Sequence, residues 1–148
     1  MAIVHIGCDH AAYEMKEAVK AHLTAAGVTV NDHGCFGPES VDYPDFAESV
    51  AKAVAASAGE LGILLCGTGI GISIAANKVN GIRAALCHTV FEAKMARNHN
   101  NANILCAGAR VLEQAVILEL VDTFLAEPFE GGRHGRRVDK MMALESQC

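Results

Sequence analysis

The sequence predicts a single three-layer α/β domain in which a five-stranded parallel sheet carries helices on both faces. Short apolar runs alternate along the chain with longer amphipathic segments, the pattern of repeated strand–helix–strand units. The 148 residues suit one domain, and a chain of that size buries roughly 68–70% of its unfolded surface. The composition is 51% hydrophobic but only 5% aromatic, which fits small aliphatic side chains packed tightly between helices and a sheet buried on both faces.

Strands are expected over 3–7, 29–32, 61–65, 82–87 and 104–107, each a short apolar or alternating run bounded by polar residues or glycine. Helices are expected over 11–26, 44–58, 69–78, 90–98 and 112–126, with several boundaries marked chemically. Gly27 suits the position just past a helix end, where positive φ is needed, and Pro44 suits a first helical turn. Thr89 and Glu92 have the spacing of a capping box. Pro128 and the Gly131-Gly132 pair break the chain before a last helix over 135–146, which has no strand to return to. That tail, 127–148, is expected to lie against a partner subunit, and it carries Arg133, His134, Arg136, Arg137 and Lys140, the densest basic cluster in the chain.

The net charge of −5 argues against nucleic acid or an anionic membrane as the main partner, so any phosphate site must be a local basic cluster. The uncharged stretch 61–77 is interrupted by glycines, Thr68 and Ser73, and falls short of the ~20 apolar residues a spanning helix needs. Met1 leads directly into strand-like sequence, and a cytoplasmic location is expected. The six cysteines form no C-x-x-C pair and no zinc-spaced set, so neither a metal nor a disulfide framework is expected. Cys8, Cys87 and Cys106 read as small buried hydrophobes, while Cys35 and Cys148 carry no evident role.

Ligands of open parallel sheets bind beyond the C-terminal ends of the strands. Three such ends are chemically loaded: Cys8-Asp9-His10, Cys66-Gly67-Thr68 and Gly108 to Arg110. The run Cys66-Gly67-Thr68-Gly69-Ile70-Gly71 delivers a thiol, a hydroxyl and three glycines into one turn before a helix, where backbone amides face an anion. Duller roles compete for the same residues. Asp9 and Thr68 could simply cap helices, His10 could be a solvated first-turn histidine, His99 could cap a helix end, and Cys66 could be buried and inert. A helix N-terminus, however, favours thiolate. His5, His22, His33 and His88 receive only a structural reading.

Known phosphate and cysteine motifs fail on spacing. No lysine follows Gly71 as a Walker A loop requires, Ile72 stands where the phosphatase Cys-x5-Arg pattern needs arginine, and the glycines fall as G-x-G-x-G on the third strand rather than in the first turn. A small phosphorylated ligand held near Cys66 remains.

The segments Gly7-Cys8-Asp9-His10-Ala11, Glu39-Ser40-Val41-Asp42-Tyr43-Pro44-Asp45, Cys66 to Ser73, Arg97-Asn98-His99-Asn100 and Gly131-Gly132-Arg133-His134 resemble the B-type ribose-5-phosphate isomerases, from the first strand to the last helix. That resemblance implies a Rossmann-like layering and cofactor-free, metal-independent interconversion of ribose 5-phosphate and ribulose 5-phosphate. It implies Cys66 as the base moving a proton between C1 and C2, and His99 with Thr68 as the groups that open the furanose ring. Backbone amides of Gly67, Thr68, Gly69, Ile70 and Gly71, with Asn100, match the enediolate-stabilising set. Asp9 and Tyr43 match contacts to substrate hydroxyls, and His10, Arg110, Arg133 and Arg137 match the phosphate side. Some relatives use a glutamate beyond the glycine loop as base; here Ala75 and Ala76 occupy that region. Hexose 6-phosphate isomerisation and non-catalytic phosphate binding are the competing readings.

Topology adds an expectation about assembly. Cys66, Asp9 and Arg110 belong to the C-terminal edge of the sheet, whereas His99 and Asn100 follow a crossover helix and belong to the opposite edge, as does the start of the tail. A homodimer, alone or within a tetramer, would bring the two sets together as shared active sites.

Overall fold

Strand β1 (Ile3–Cys8) is the pivot of the sheet, and its apolar Val4, Ile6 and Cys8 are sealed from solvent. The computed structural model describes residues 2–147, with side chains described through residue 146. β1 pairs in parallel with β2 (Thr29–Asp32) on one side and β3 (Leu61–Cys66) on the other. β3 continues to β5 (Ile104–Gly108) and β5 to β4 (Ala84–Leu86), giving the order β2-β1-β3-β5-β4 with every pairing parallel. The chain leaves β1 toward one edge and returns to build toward the other, so the β1/β3 boundary is the topological switch point.

The period-2 alternation of the strands divides the core. Leu64, Cys66, Ile104 and Cys106 face one side, where they meet Ala47, Val50, Ala51 and Val54 of α2 (Tyr43–Ala56) and Ile72 and Ala76 of α3 (Ile70–Ala76). Ile63, Leu65, Leu105 and Ala107 face the other side. There they pack with Val19 and Leu23 of α1 (Tyr13–Ala25), Ala93 and Ala96 of α4 (Val90–Asn98), and Ile117, Leu120, Val121 and Phe124 of α5 (Gln114–Ala126). The predicted five-stranded sheet with helices on both faces is therefore the observed architecture. Helix α6 (Arg133–Ala143) extends beyond α5 and ends in a 3-10 turn, Leu144–Gln147.

Boundaries follow local hydrogen bonds. Val90–Asn98 opens with the Thr89/Glu92 capping box, Gly27 takes φ 84° after α1, and proline occupies the first turn of α2, all as expected. The first helix starts at Tyr13 rather than 11, because Asp9 caps a short 3-10 turn, His10–Ala12, through the amide of Ala11. β4 is shorter than the expected 82–87. The Asn103 side chain takes the Arg83 N–H and donates to the Gly81 carbonyl, holding the approach to β4 in a turn. α3 stops at Ala76, short of 78, where the Asn77 amide pairs with both backbone groups of Ala84. α5 begins at 114 rather than 112, since the amides of Val111 and Leu112 both turn back onto the Gly108 carbonyl. The last helix begins at Arg133, two residues before the expected 135, and gives way to the 3-10 turn after Ala143.

Lys16, which no hydrophobic pattern announces, is fully buried. Its ammonium donates to both Asp32 oxygens at 2.8 Å and to the Cys35 carbonyl at 2.7 Å, and sits 4.8 Å from the Phe36 ring centre. A buried ammonium is tolerable only when paired in this way. Burial alone would push the Asp32 carboxyl up, but hydrogen bonds from Lys16, the Gly34 N–H and Lys20 hold it below its ordinary value. This cluster ties α1 to the C-terminal end of β2. The histidines assigned structural roles also find partners: His5 joins His33 at 2.9 Å and Glu60 at 2.8 Å, His22 meets Asp122, and His88 approaches Glu92. Cys8, Cys87 and Cys106 are buried as expected, and burial raises all three thiols, that of Cys87 to about 12. Cys35 is buried with its sulfur 3.8 Å from that of Cys8, while Cys148 lies outside the described residues.

Candidate active site

A cleft of about 500 Å³ opens at the C-terminal ends of β1, β3 and β5 and is lined by Asp9, His10, Ala11, Tyr43, Cys66, Gly67, Thr68, Ile70, Gly71 and Arg110. It sits at the switch point, and of the three strand ends it takes Asp9, His10, Cys66, Gly67, Thr68 and Arg110, while Cys8 and Gly108 stay outside its lining. Two clefts of comparable volume, about 430 and 410 Å³, lie elsewhere and contain no cysteine.

Cys66 ends β3 at the floor of the cleft, 5% exposed, with its sulfur accepting the Gly69 N–H at 3.1 Å. The turn that makes this contact needs glycine at 69, where φ is 80° and a Cβ would lie 2.6 Å from Leu86 and 2.8 Å from the Ala107 carbonyl carbon. The loop is fixed from β5: Ala109 N–H bonds the Cys66 carbonyl and Arg110 N–H the Gly67 carbonyl, both at 2.9 Å. Gly108 allows that approach, since a Cβ there would sit 2.6 Å from the Thr68 backbone.

Around the thiol, Asp9 is 8% exposed and its carboxylate accepts the Ala11 N–H at 3.0 Å, so capping and lining the cleft coexist in one residue. His10 Nδ1 accepts the Val41 N–H at 3.1 Å, which assigns the proton of the neutral ring to Nε2 and makes it a donor. Tyr43 lies over Gly71 so closely that a Cβ at 71 would come within 2.6 Å of Cζ. Arg110 crosses Gly67 with its guanidinium in van der Waals range. Thr68 is exposed, and its hydroxyl accepts the Ile70 N–H at 3.2 Å. The amides of Gly69 and Ile70 are thus committed within the loop, one to the Cys66 sulfur and one to the Thr68 hydroxyl.

The remaining candidates are placed elsewhere. His99, Asn100, Arg133 and Arg137 are absent from the lining of the Cys66 cleft. His99 caps the C-terminus of α4, which returns to the edge where β5 begins, and Asn100 lines the 430 Å³ cleft together with Arg83, Met141, Met142 and Glu145. The end of the tail is anchored to its own chain by Glu145 accepting the Gly81 N–H at 2.8 Å and by Arg83 donating to Met142 Sδ at 3.5 Å. Arg133 and Arg137 lie on α6 at i, i+4 and share a face. Residues that the sequence left unassigned gather around His99. Its ring stacks on that of His134 with centres 4.0 Å apart and planes 8° apart, and both face Glu130. The only signal in the sequence was the i, i+4 spacing of Glu130 and His134 beside the basic cluster. Burial, followed by the facing His99 and the neighbouring Arg133, pushes His134 below the ordinary histidine value.

Among the described residues no helix is long and apolar enough to cross a membrane.

The family model described as Ribose/Galactose Isomerase matches residues 4–141. The chain is 44% identical over 147 residues to ribose-5-phosphate isomerase B of Escherichia coli, covering 99% of both. Among solved structures, ribose-5-phosphate isomerase B of Clostridium thermocellum superposes with a TM-score of 0.96 at 49% identity, over 98% of each chain. That of Mycoplasma genitalium, with bound ribulose 5-phosphate, gives 0.95 at 41% identity, over 99% of this chain and 97% of the other.

Proposed function

Since the chain belongs to the ribose/galactose isomerase family, we propose that it interconverts ribose 5-phosphate and ribulose 5-phosphate through an enediolate, with Cys66 as the base. One observation carries the reading: the Cys66 sulfur lies at the floor of a cleft between the ends of β1, β3 and β5, with an amide aimed at it. Pure phosphate binding would need no such thiol.

Cys66 as thiolate takes the proton from C2 of the open-chain aldose, and the electron pair moves through the C1–C2 bond onto the C1 oxygen. The thiol returns that proton to C1, while the C2 hydroxyl passes its own proton to the C1 oxygen, directly or through solvent, so that the ketose carbonyl forms at C2 and a hydroxyl at C1. A positioned base of this kind contributes typically 10²–10⁴-fold. The developing oxyanion faces the loop amides of Gly67, Thr68 and Gly71, because those of Gly69 and Ile70 are already engaged. Asp9 and Tyr43 orient substrate hydroxyls. His10, donating through Nε2, joins Arg110 on the phosphate side.

The assignments of His99 with Thr68 to ring opening, Asn100 to the enediolate, and Arg133 and Arg137 to the phosphate need a second chain. In a two-fold dimer the partner subunit's α4 end and α6 would face this chain's cleft, and the relation repeats at the other site. Planar arginine forks suit a phosphate dianion in a chain whose net charge is −5. Such a dimer, alone or within a tetramer, and a cytoplasmic location complete the proposal.

A coupled assay on ribose, allose and galactose phosphates in the presence of EDTA tests it. Turnover of ribose 5-phosphate with the highest kcat/KM supports the reading; a preference for a hexose phosphate would transfer the same chemistry to a longer substrate, and no turnover would reduce the site to a binding module.

A further inference from the structure

We propose that His99, Glu130 and His134 form a binding site for a zinc-class divalent cation whose occupation reversibly blocks the enzyme. The three ligand atoms, one from each side chain, lie within 4.8 Å of one another. Glu130 Oε1 stands 3.8 Å from His99 Nε2 and 3.7 Å from His134 Nε2. These separations are too long for hydrogen bonds. Tetrahedral zinc with bonds of 2.0–2.2 Å sets its ligand atoms about 3.4 Å apart, so each carboxylate–imidazole separation must shorten by a few tenths of an ångström, and the partly exposed His99 ring must turn out of its stack on His134 so that both in-plane lone pairs meet one ion. Two imidazoles and a carboxylate are a fitting donor set for zinc and its transition-metal neighbours, and water would take the fourth position.

The second observation is independent of the spacing. His134 Nε2 is the buried side-chain nitrogen or oxygen without a hydrogen-bond partner among the described residues, and it points into the same cluster. A buried polar nitrogen left unpaired is costly and calls for a partner.

The site is built by the fold. Asn98, 3% exposed, donates to the Pro128 carbonyl at 2.7 Å and to a Glu127 carboxylate oxygen at 3.1 Å, and its own carbonyl accepts the Glu130 N–H at 3.0 Å. These bonds clamp the α5–α6 connection onto the end of α4. Glu130 and His134 are thereby carried to His99, with the imidazoles stacked. A cation held there occupies the His99 Nε2 lone pair and withdraws His99 from ring opening, a consequence that rests on the role given to His99 above.

The test titrates the metal-free full-length protein with zinc chloride by calorimetry and follows turnover of ribose 5-phosphate in parallel, for wild type and the Glu130→Gln, His134→Ala and Cys66→Ala variants. The proposal predicts one zinc per chain, bound by wild type and by Cys66→Ala, and at least tenfold weaker in Glu130→Gln and His134→Ala. Turnover should fall as the site fills and return with EDTA. Glu130→Gln should turn over normally without zinc and resist inhibition. Zinc binding that survives Glu130→Gln and His134→Ala but disappears in Cys66→Ala would place the metal on the thiol and overturn the proposal. Binding lost in Glu130→Gln and His134→Ala, yet with turnover unchanged when the site is full, would keep the site but overturn the block on turnover and, with it, the role of His99.

Discussion

The two edges of the sheet are built in different ways. At the C-terminal edge, strand ends deliver Asp9, Cys66 and Arg110 into one cleft, and backbone bonds from Ala109 and Arg110 lock the glycine loop in place. At the other edge His99 and Asn100 sit at a helix end and the basic residues on α6, held by side-chain bonds from Asn98, Arg83 and Glu145. The first edge has a thiol but few charges for a phosphate; the second has imidazoles and arginines but, among the described residues, no thiol beside them. Each set is chemically incomplete, and each supplies what the other lacks.

The comparison breaks most sharply at Cys66. Cys66→Ala should lower kcat by at least about 10²-fold while leaving ribulose 5-phosphate affinity, measured by calorimetry, near that of wild type. Activity above about a tenth of wild type would require another base and undo the contrast between the edges.

At the opposite edge, Arg137→Ala should raise KM for ribose 5-phosphate by about tenfold or more, the value of one charge-assisted hydrogen bond. Arg136→Ala, on a different face of α6, should leave KM within about twofold of wild type. Equal effects would mean that α6 acts as a diffuse basic surface.

The rigidity of the two edges can be compared through glycine. Gly108→Ala forces a Cβ to 2.6 Å from the Thr68 backbone and should cost about 1–3 kcal/mol in denaturant unfolding together with a loss of kcat. Gly131→Ala meets nothing within 4 Å, so only its φ of 71° opposes the change, at about 1–2 kcal/mol and with kcat preserved. A kcat loss at 131 matching that at 108 would remove the distinction.

The last effect is read through pH and concerns Asp32, whose pairing with buried Lys16 anchors α1 beside the C-terminal edge. Its folded carboxyl titrates below the ordinary value near 3.9, so its contribution to stability is fully present above that value and is lost as pH falls through the lower folded value. Acid unfolding of wild type should therefore steepen below about pH 4, and Asp32→Asn should flatten that limb while lowering stability at neutral pH. An unchanged acid limb would mean that the pair is not the group being titrated.

The sequence made the C-terminal edge readable because strands end abruptly: an apolar run followed by Cys-Gly-Thr-Gly or by Asp-His fixes both position and edge. The Thr89/Glu92 box and Gly27 likewise set boundaries through bonds between near neighbours. The shortened β4 and α3 were not readable, since Asn103 and Asn77 reach partners 22 and 7 residues away in the chain. Lys16 and His134 escaped for the same reason. Their partners Asp32, Cys35 and His99 come close only once the layers pack, and neither residue lies in a pattern that marks it as buried.

The central claim is that the two edges meet across a dimer. It is tested by mixing the Cys66→Ala and His99→Asn variants, each nearly inactive, under conditions of proven subunit exchange. In a mixed dimer one site carries both lesions and the other neither, so an equal mixture should recover up to about a quarter of wild-type turnover. No recovery despite exchange would place Cys66 and His99 in one chain's site and contradict the account.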